Sequence, residues 1–137
     1  MTKDRTFTTA IHLLSALAKN SPRVTNSDRL ANSLKTNPGL VRRVLSKLSK
    51  TGWIETVKGK GGGSKLAVSA ESINLRMIYE SVVAGPLFRS FEKEPYAQCA
   101  VSCQIGGILD DVYGDLENEL LVKMESRKLS EIVKKNT

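Results

Sequence analysis

Arg42 and Arg43 stand side by side near the start of an apolar-periodic segment whose other polar positions are Asn37, Ser46, Lys47 and Lys50. Arginine can pair with O6 and N7 of a guanine together, whereas lysines further along a helix suit phosphate oxygens. Downstream, Lys58, Lys60 and Lys65 surround the glycines of Gly59-Lys60-Gly61-Gly62-Gly63-Ser64. Glycine permits positive φ and lets a backbone approach a phosphate or enter a narrow groove. Ser27 opens a short helical segment, where its hydroxyl and the neighbouring N–H groups suit another phosphate. The chemistry these residues share is recognition of a polyanion.

Catalytic and nucleotide-binding alternatives fail on spacing. A Gly-x4-Gly-Lys-Ser/Thr phosphate loop begun at Gly59 meets Ser64, Lys65 and Leu66, and a strand-like stretch follows where a helix is needed. A dinucleotide-binding Gly-x-Gly-x-x-Gly begun at Gly59 also ends on Ser64. His12 is the single histidine, inside the first helical segment, and is expected at the edge of the core. Asp110, Asp111, Asp115, Glu117 and Glu119 fall mostly opposite an apolar stripe, as a solvated helix face does. No enzyme activity is expected. No apolar run approaches the roughly 20 residues that span a bilayer, and Met1–Arg5 carry no secretory pattern, so a cytoplasmic place without a membrane partner is expected.

The charge is unevenly spread. Residues 1–68 hold 13 Lys/Arg against three Asp/Glu, a net +10, while residues 69–137 hold eight against 11, a net −3. A basic half joined to a mildly acidic half places the polyanion surface in the first half. The seven aromatic residues are few for a base-stacking RNA platform, which favours double-stranded DNA.

The elements that must position these residues follow from periodicity. Phe7, Ala10, Ile11, Leu14, Leu17 and Ala18 predict a helix over 5–19. A short helix capped by Ser27 turns Leu30, Ala31 and Leu34 inward, and a third has Asn37 as cap and Pro38 in its first position. Leu40, Val41, Val44, Leu45 and Leu48 form the inner side of that third helix, which Gly52 stops. Residues 53–58 and 65–68 then read as strands of a hairpin. A helix capped by Ser69 or Ser72 runs to Val83 and breaks at Gly85-Pro86, and residues 87–98 read as a loop. From residue 100 to 126 a long helix carries Ile105, Leu109, Val112, Leu116, Leu120 and Met124 on one stripe, and residues 129–135 form a short helical tail expected to fray. The expected fold is mainly α with a small β-hairpin: a winged helix-turn-helix domain at 1–84, a loop at 85–99, and a dimerisation helix with its tail at 100–137. The stripe is too long for the N-terminal core to cover, so a partner's helix is the natural cover.

The run from Val41 through Trp53-Ile54, followed by Val57-Lys58-Gly59-Lys60-Gly61-Gly62-Gly63, resembles the Rrf2 family of bacterial winged-helix transcriptional regulators. The resemblance covers nearly the whole chain and is most specific between the third helix and the wing. It implies base reading at the start of that helix by Gly39, Leu40, Arg42 and Arg43, and a minor-groove probe in Lys58. It further implies a homodimer, held largely by the long helix; a twofold dimer binds a pseudo-palindromic operator, and a repressor is the expected role. Ser64 stands where many members have an aromatic residue.

Several members hold an iron–sulfur cluster on three cysteines before and at the start of the long helix. Here that region has Cys99 and Cys103 alone, short of the usual four ligands, so no cofactor is expected. A dimer could pool four cysteines, and thiol oxidation that switches DNA binding is an alternative. So is simple packing of two small apolar residues.

Overall fold

Helix α1 (Thr6–Asn20) exists because Ala10, Leu13, Leu14 and Leu17 recur on one face, and all four are sealed from solvent. Burying each leucine contributes about 1.5–3 kcal/mol, so this helix is the post against which the remainder packs. The computed structural model describes residues 5–83, 85–86 and 100–135. In that range α1 is followed by α2 (Ser27–Leu34), α3 (Pro38–Ser49), an antiparallel hairpin of β1 (Ile54–Val57) and β2 (Gly63–Leu66), α4 (Leu75–Val82), α5 (Ala100–Glu125) and α6 (Leu129–Lys135). This is the expected mainly α fold with one small hairpin. His12 is exposed rather than at the core edge, because the buried stripe of α1 runs through its neighbours Leu13 and Leu14.

Caps decide where the short helices begin. The expected cap of α2, Ser27, is instead its first helical residue: Asn26 is the cap, its Oδ1 accepting a hydrogen bond from the Arg29 N–H at 2.8 Å. In α3 the Asn37 cap and Pro38 start are as expected, with Asn37 Oδ1 accepting from the Gly39 N–H at 2.6 Å. Leu30 and Ala31 of α2 meet Val41, Val44 and Leu48 of α3 beneath α1. The link between α2 and α3 bends at Lys35, a non-glycine residue at φ 52°, a conformation that costs an L-residue roughly 1–2 kcal/mol.

The second strand starts two residues earlier than expected, at Gly63 rather than Lys65, because Ser64 bonds on both sides. It pairs with Thr56 in the hairpin and forms a bridge to Thr25 in the α1–α2 loop. Helix α4 is likewise capped later than expected. Ser69 caps a short 3-10 turn at Ala70–Ser72, the buried Ile73 is extended, and Asn74 Oδ1 then accepts from the Met77 N–H at 2.9 Å.

The largest correction concerns the C-terminus. The short helix expected to fray at 129–135 is formed as α6 but is docked, packed on α1 with Leu129 fully buried. The chain returns beside its own N-terminal unit: the Leu75 N–H donates to the Arg127 carbonyl at 2.9 Å and the Leu129 N–H to the Ile73 carbonyl at 2.8 Å. Residues 129–135 therefore complete the core of the first unit. Leu129→Ala is expected to cost about 2–5 kcal/mol, measured by urea denaturation. Lys35→Gly removes the strain at φ 52° and is expected to raise stability by up to about 1 kcal/mol.

Candidate nucleic-acid interface

The exposed face of α3 is basic and unencumbered. Arg42 and Arg43 are both exposed on its first two turns, with Asn37 and Gly39 exposed before them and Leu40 half-buried. Asn37 spends its carbonyl oxygen on the Gly39 N–H, so its free amide donors are what it can offer a nucleic acid. A shallow groove of about 290 Å³ separates this helix from the hairpin. Ser27, Arg42 and Ser46 line it on one side, Thr56, Gly63 and Ser64 on the other. The structure thus brings together two features far apart in sequence, the first turn of α2 and the second strand of the hairpin.

The hairpin is held in place by backbone geometry. The Thr25 N–H donates to the Ser64 carbonyl, and the Ser64 N–H to the Thr25 carbonyl, each at 2.8 Å. A side chain at Gly63 would collide with Thr25, and one at Gly62 with the carbonyls of Val57 and Gly59. These two glycines are required by close approach of backbone to backbone. At the tip, Lys58, Lys60 and Gly61 are exposed and Gly62 is half-buried.

Two lysines of the expected basic set also have partners within the chain. The Lys47 ammonium donates to the Val82 carbonyl at 3.2 Å, tying α3 to the end of α4. Lys65 lies opposite Glu55 in the hairpin and 3.8 Å from its carboxylate, on the strand face that alternation turns away from Ser64. From sequence alone Thr25 and Asn26 had no role, and it was not foreseen that Ser64 joins Thr25 to the hairpin. Asn26 carries a readable cap signal, whereas the pairing of Thr25 with Ser64 spans 39 positions and has no local signature.

The second half of the chain presents a different surface. Ile105, Ile108, Val112, Leu116 and Leu120 recur every three or four residues along α5 and are 37–62% exposed. Leu109, expected on the same stripe, is half-buried. The near end of α4 is fixed to the far end of α5 by Arg76, which reaches Glu80 at 2.7 Å and Glu125 at 3.1 Å. Inside, Tyr79 stacks edge-on to Phe7 with centroids 5.5 Å apart; burial, and then the Glu117 carboxylate, raise its phenol above the ordinary tyrosine range. Cys99 lies outside the described residues, and Cys103 falls in the first turn of α5. Two thiols are all that one chain contains, fewer than a four-cysteine cluster uses. Among the described residues no group of three or more His, Cys, Asp or Glu could hold a metal ion, and no helix is long and apolar enough to cross a membrane.

A helix-turn-helix whose exposed third helix is flanked by an anchored basic hairpin is a winged-helix DNA-binding unit. The chain matches the Rrf2 family, described as iron-dependent transcriptional regulators, over residues 4–135, and it belongs to that family of DNA-binding regulators. It is 27% identical over 124 residues to YwnA of Bacillus subtilis, named as an HTH-type transcriptional regulator, covering 90% of this chain and 91% of that one. In fold it is similar to a transcriptional regulator from Lactobacillus plantarum (TM-score 0.81, 22% identity, 93% of this chain and 87% of that one). It also resembles CymR, the global cysteine regulator of B. subtilis (TM-score 0.66, 17% identity, 98% and 97%).

Gly63→Val forces the hairpin away from Thr25, so it is expected to weaken duplex binding at least tenfold while the helical circular dichroism is kept. Lys58→Ala is expected to lower the slope of log K against log salt by about one. Lys47→Ala should lower that slope by less than Lys58→Ala does, since the Val82 carbonyl engages its ammonium.

Proposed function

We propose that the chain is a homodimeric repressor that binds a pseudo-palindromic operator, with α3 in the major groove and the hairpin against the neighbouring minor groove. The observation that carries this reading is that Arg42, exposed on α3 with Arg43, shares a groove with Thr56, Gly63 and Ser64 of the hairpin whose tip bears exposed Lys58 and Lys60. Arginines on the first turns reach base edges, and the lysines neutralise phosphates. Lys47 and Lys65 contribute positive potential rather than direct contacts.

The dimer rests on α5. Five large apolar side chains exposed along one helix form the kind of patch that marks an interface. At 26 residues the helix is about 39 Å long, enough to lie along a second copy of itself. Twofold pairing presents two identical reading heads and so requires a pseudo-palindrome. Repression follows if the dimer occludes a promoter.

Selection from a random duplex pool is expected to enrich a pseudo-palindrome with half-sites one or two helical turns apart. Enrichment of no sequence would overturn the reading. Val112→Glu with Leu116→Glu is expected to give a folded monomer by sedimentation, with operator affinity reduced at least a hundredfold. Loss of the chain should raise transcription from the selected operator; a fall would instead make it an activator.

A further inference from the structure

We propose that a second pocket, between the end of α1, the 21–26 loop and α2, binds an oxyanion of the phosphate class through Arg23 and Arg29. The pocket measures about 240 Å³, and Asn20, Thr25 and Ser33 line it beside the two arginines. Such a volume is below that of drug-sized ligand sites and suits a tetrahedral anion with its waters. Both arginines are exposed, and neither has a carboxylate within 4 Å among the described residues. Even Asp28, next to Arg29 in sequence, forms no ion pair with either. Two arginines that line one small polar pocket bring like charges together that an anion would neutralise, and the forked donors of a guanidinium fit phosphate oxygens.

The walls are already set. The Arg23 N–H donates to the Asn20 carbonyl at 2.9 Å, Asn20 Nδ2 donates to Thr25 Oγ1 at 3.1 Å, and Thr25 is bridged to Ser64. Ser27 lines the groove beside α3, while Arg29, two residues on and thus about 200° around the helix, lines this pocket. The site therefore opens on another side of α2 than the reading groove. An anion joining Arg23 to Arg29 clamps both ends of the segment whose middle holds the hairpin.

The same chemistry has two sources, a phosphodiester of the bound duplex or a free phosphate-class anion. Titration of the isotopically labelled full chain with inorganic phosphate, followed by NMR, tests the second. Saturable shifts confined to the side-chain N–H groups of Arg23 and Arg29 and to amides around Asn20 and Ser33 are expected. They should vanish in R23Q/R29Q and weaken severalfold in R23K/R29K, whose melting temperature checks that the fold is intact. For the duplex source, R23Q/R29Q should lower the salt slope of operator binding by about two without requiring free phosphate to bind. Shifts spread over the lysines without saturation, together with an unchanged slope, overturn the proposal. The duplex arm rests on the operator reading above, but the phosphate arm does not, so loss of DNA binding alone leaves the latter standing.

Discussion

The two 2.8 Å hydrogen bonds between Thr25 and Ser64 hold the hairpin in register with the helix-turn-helix. A two-stranded hairpin of four residues a side is marginal alone in water. Its inner face gains support from Ile54 and Leu66 in the core, but its angle relative to α3 is set at Ser64. Because Thr25 directly precedes Asn26, the same short stretch fixes the start of α2, and α2 in turn buttresses α3. The absence of a side chain at Gly63 is the condition for this approach. Most of the geometry of the reading face follows from one backbone contact and the glycine that admits it.

Beneath that face the core is built from both ends of the sequence. Leu13, Leu14 and Leu17 of α1 share one cluster with Leu48 of α3, Ile78 of α4 and Leu129 of α6. The return of α6 to α1 brings the far end of α5 back to the winged unit, with Arg76 and Glu125 meeting at the same corner. Lys47 supplies a further tie, from the reading helix to the last turn of α4. Displacement of the end of α4 would thus be felt by α3 directly, whereas the apolar stripe of α5 stays exposed.

The helices and the hairpin were legible because their signals are local. Asn37-Pro38 announced the start of α3, and the 3.6-residue recurrence of leucine and valine announced its inner side. Arg42 and Arg43 were legible for the same reason, since a helix that buries Val41 and Val44 must expose them. What escaped the sequence depends on contacts across long separations. Thr25 meets Ser64, Lys47 meets Val82, and Leu129 meets α1, and no spacing rule encodes such pairs. Residues 129–135 read as a fraying helical tail because one leucine and two β-branched residues make a weak stripe, yet Leu129 is fully buried and Val133 packs against the same core. Ser27 and Asn26 were exchanged as caps because both residue types serve, and the backbone alone distinguishes them.

The central claim, that the start of α3 reads bases, is tested most directly by a double-mutant cycle on the selected operator. Binding is measured by fluorescence anisotropy for the wild type and Arg42→Ala, each against the operator and against a duplex in which one half-site guanine is replaced. If Arg42 pairs with that guanine, the replacement costs the wild type about 1–3 kcal/mol and costs Arg42→Ala almost nothing, for one guanine in each half-site. Equal losses for the two proteins at every guanine, with the same result for Arg43→Ala, would contradict the account.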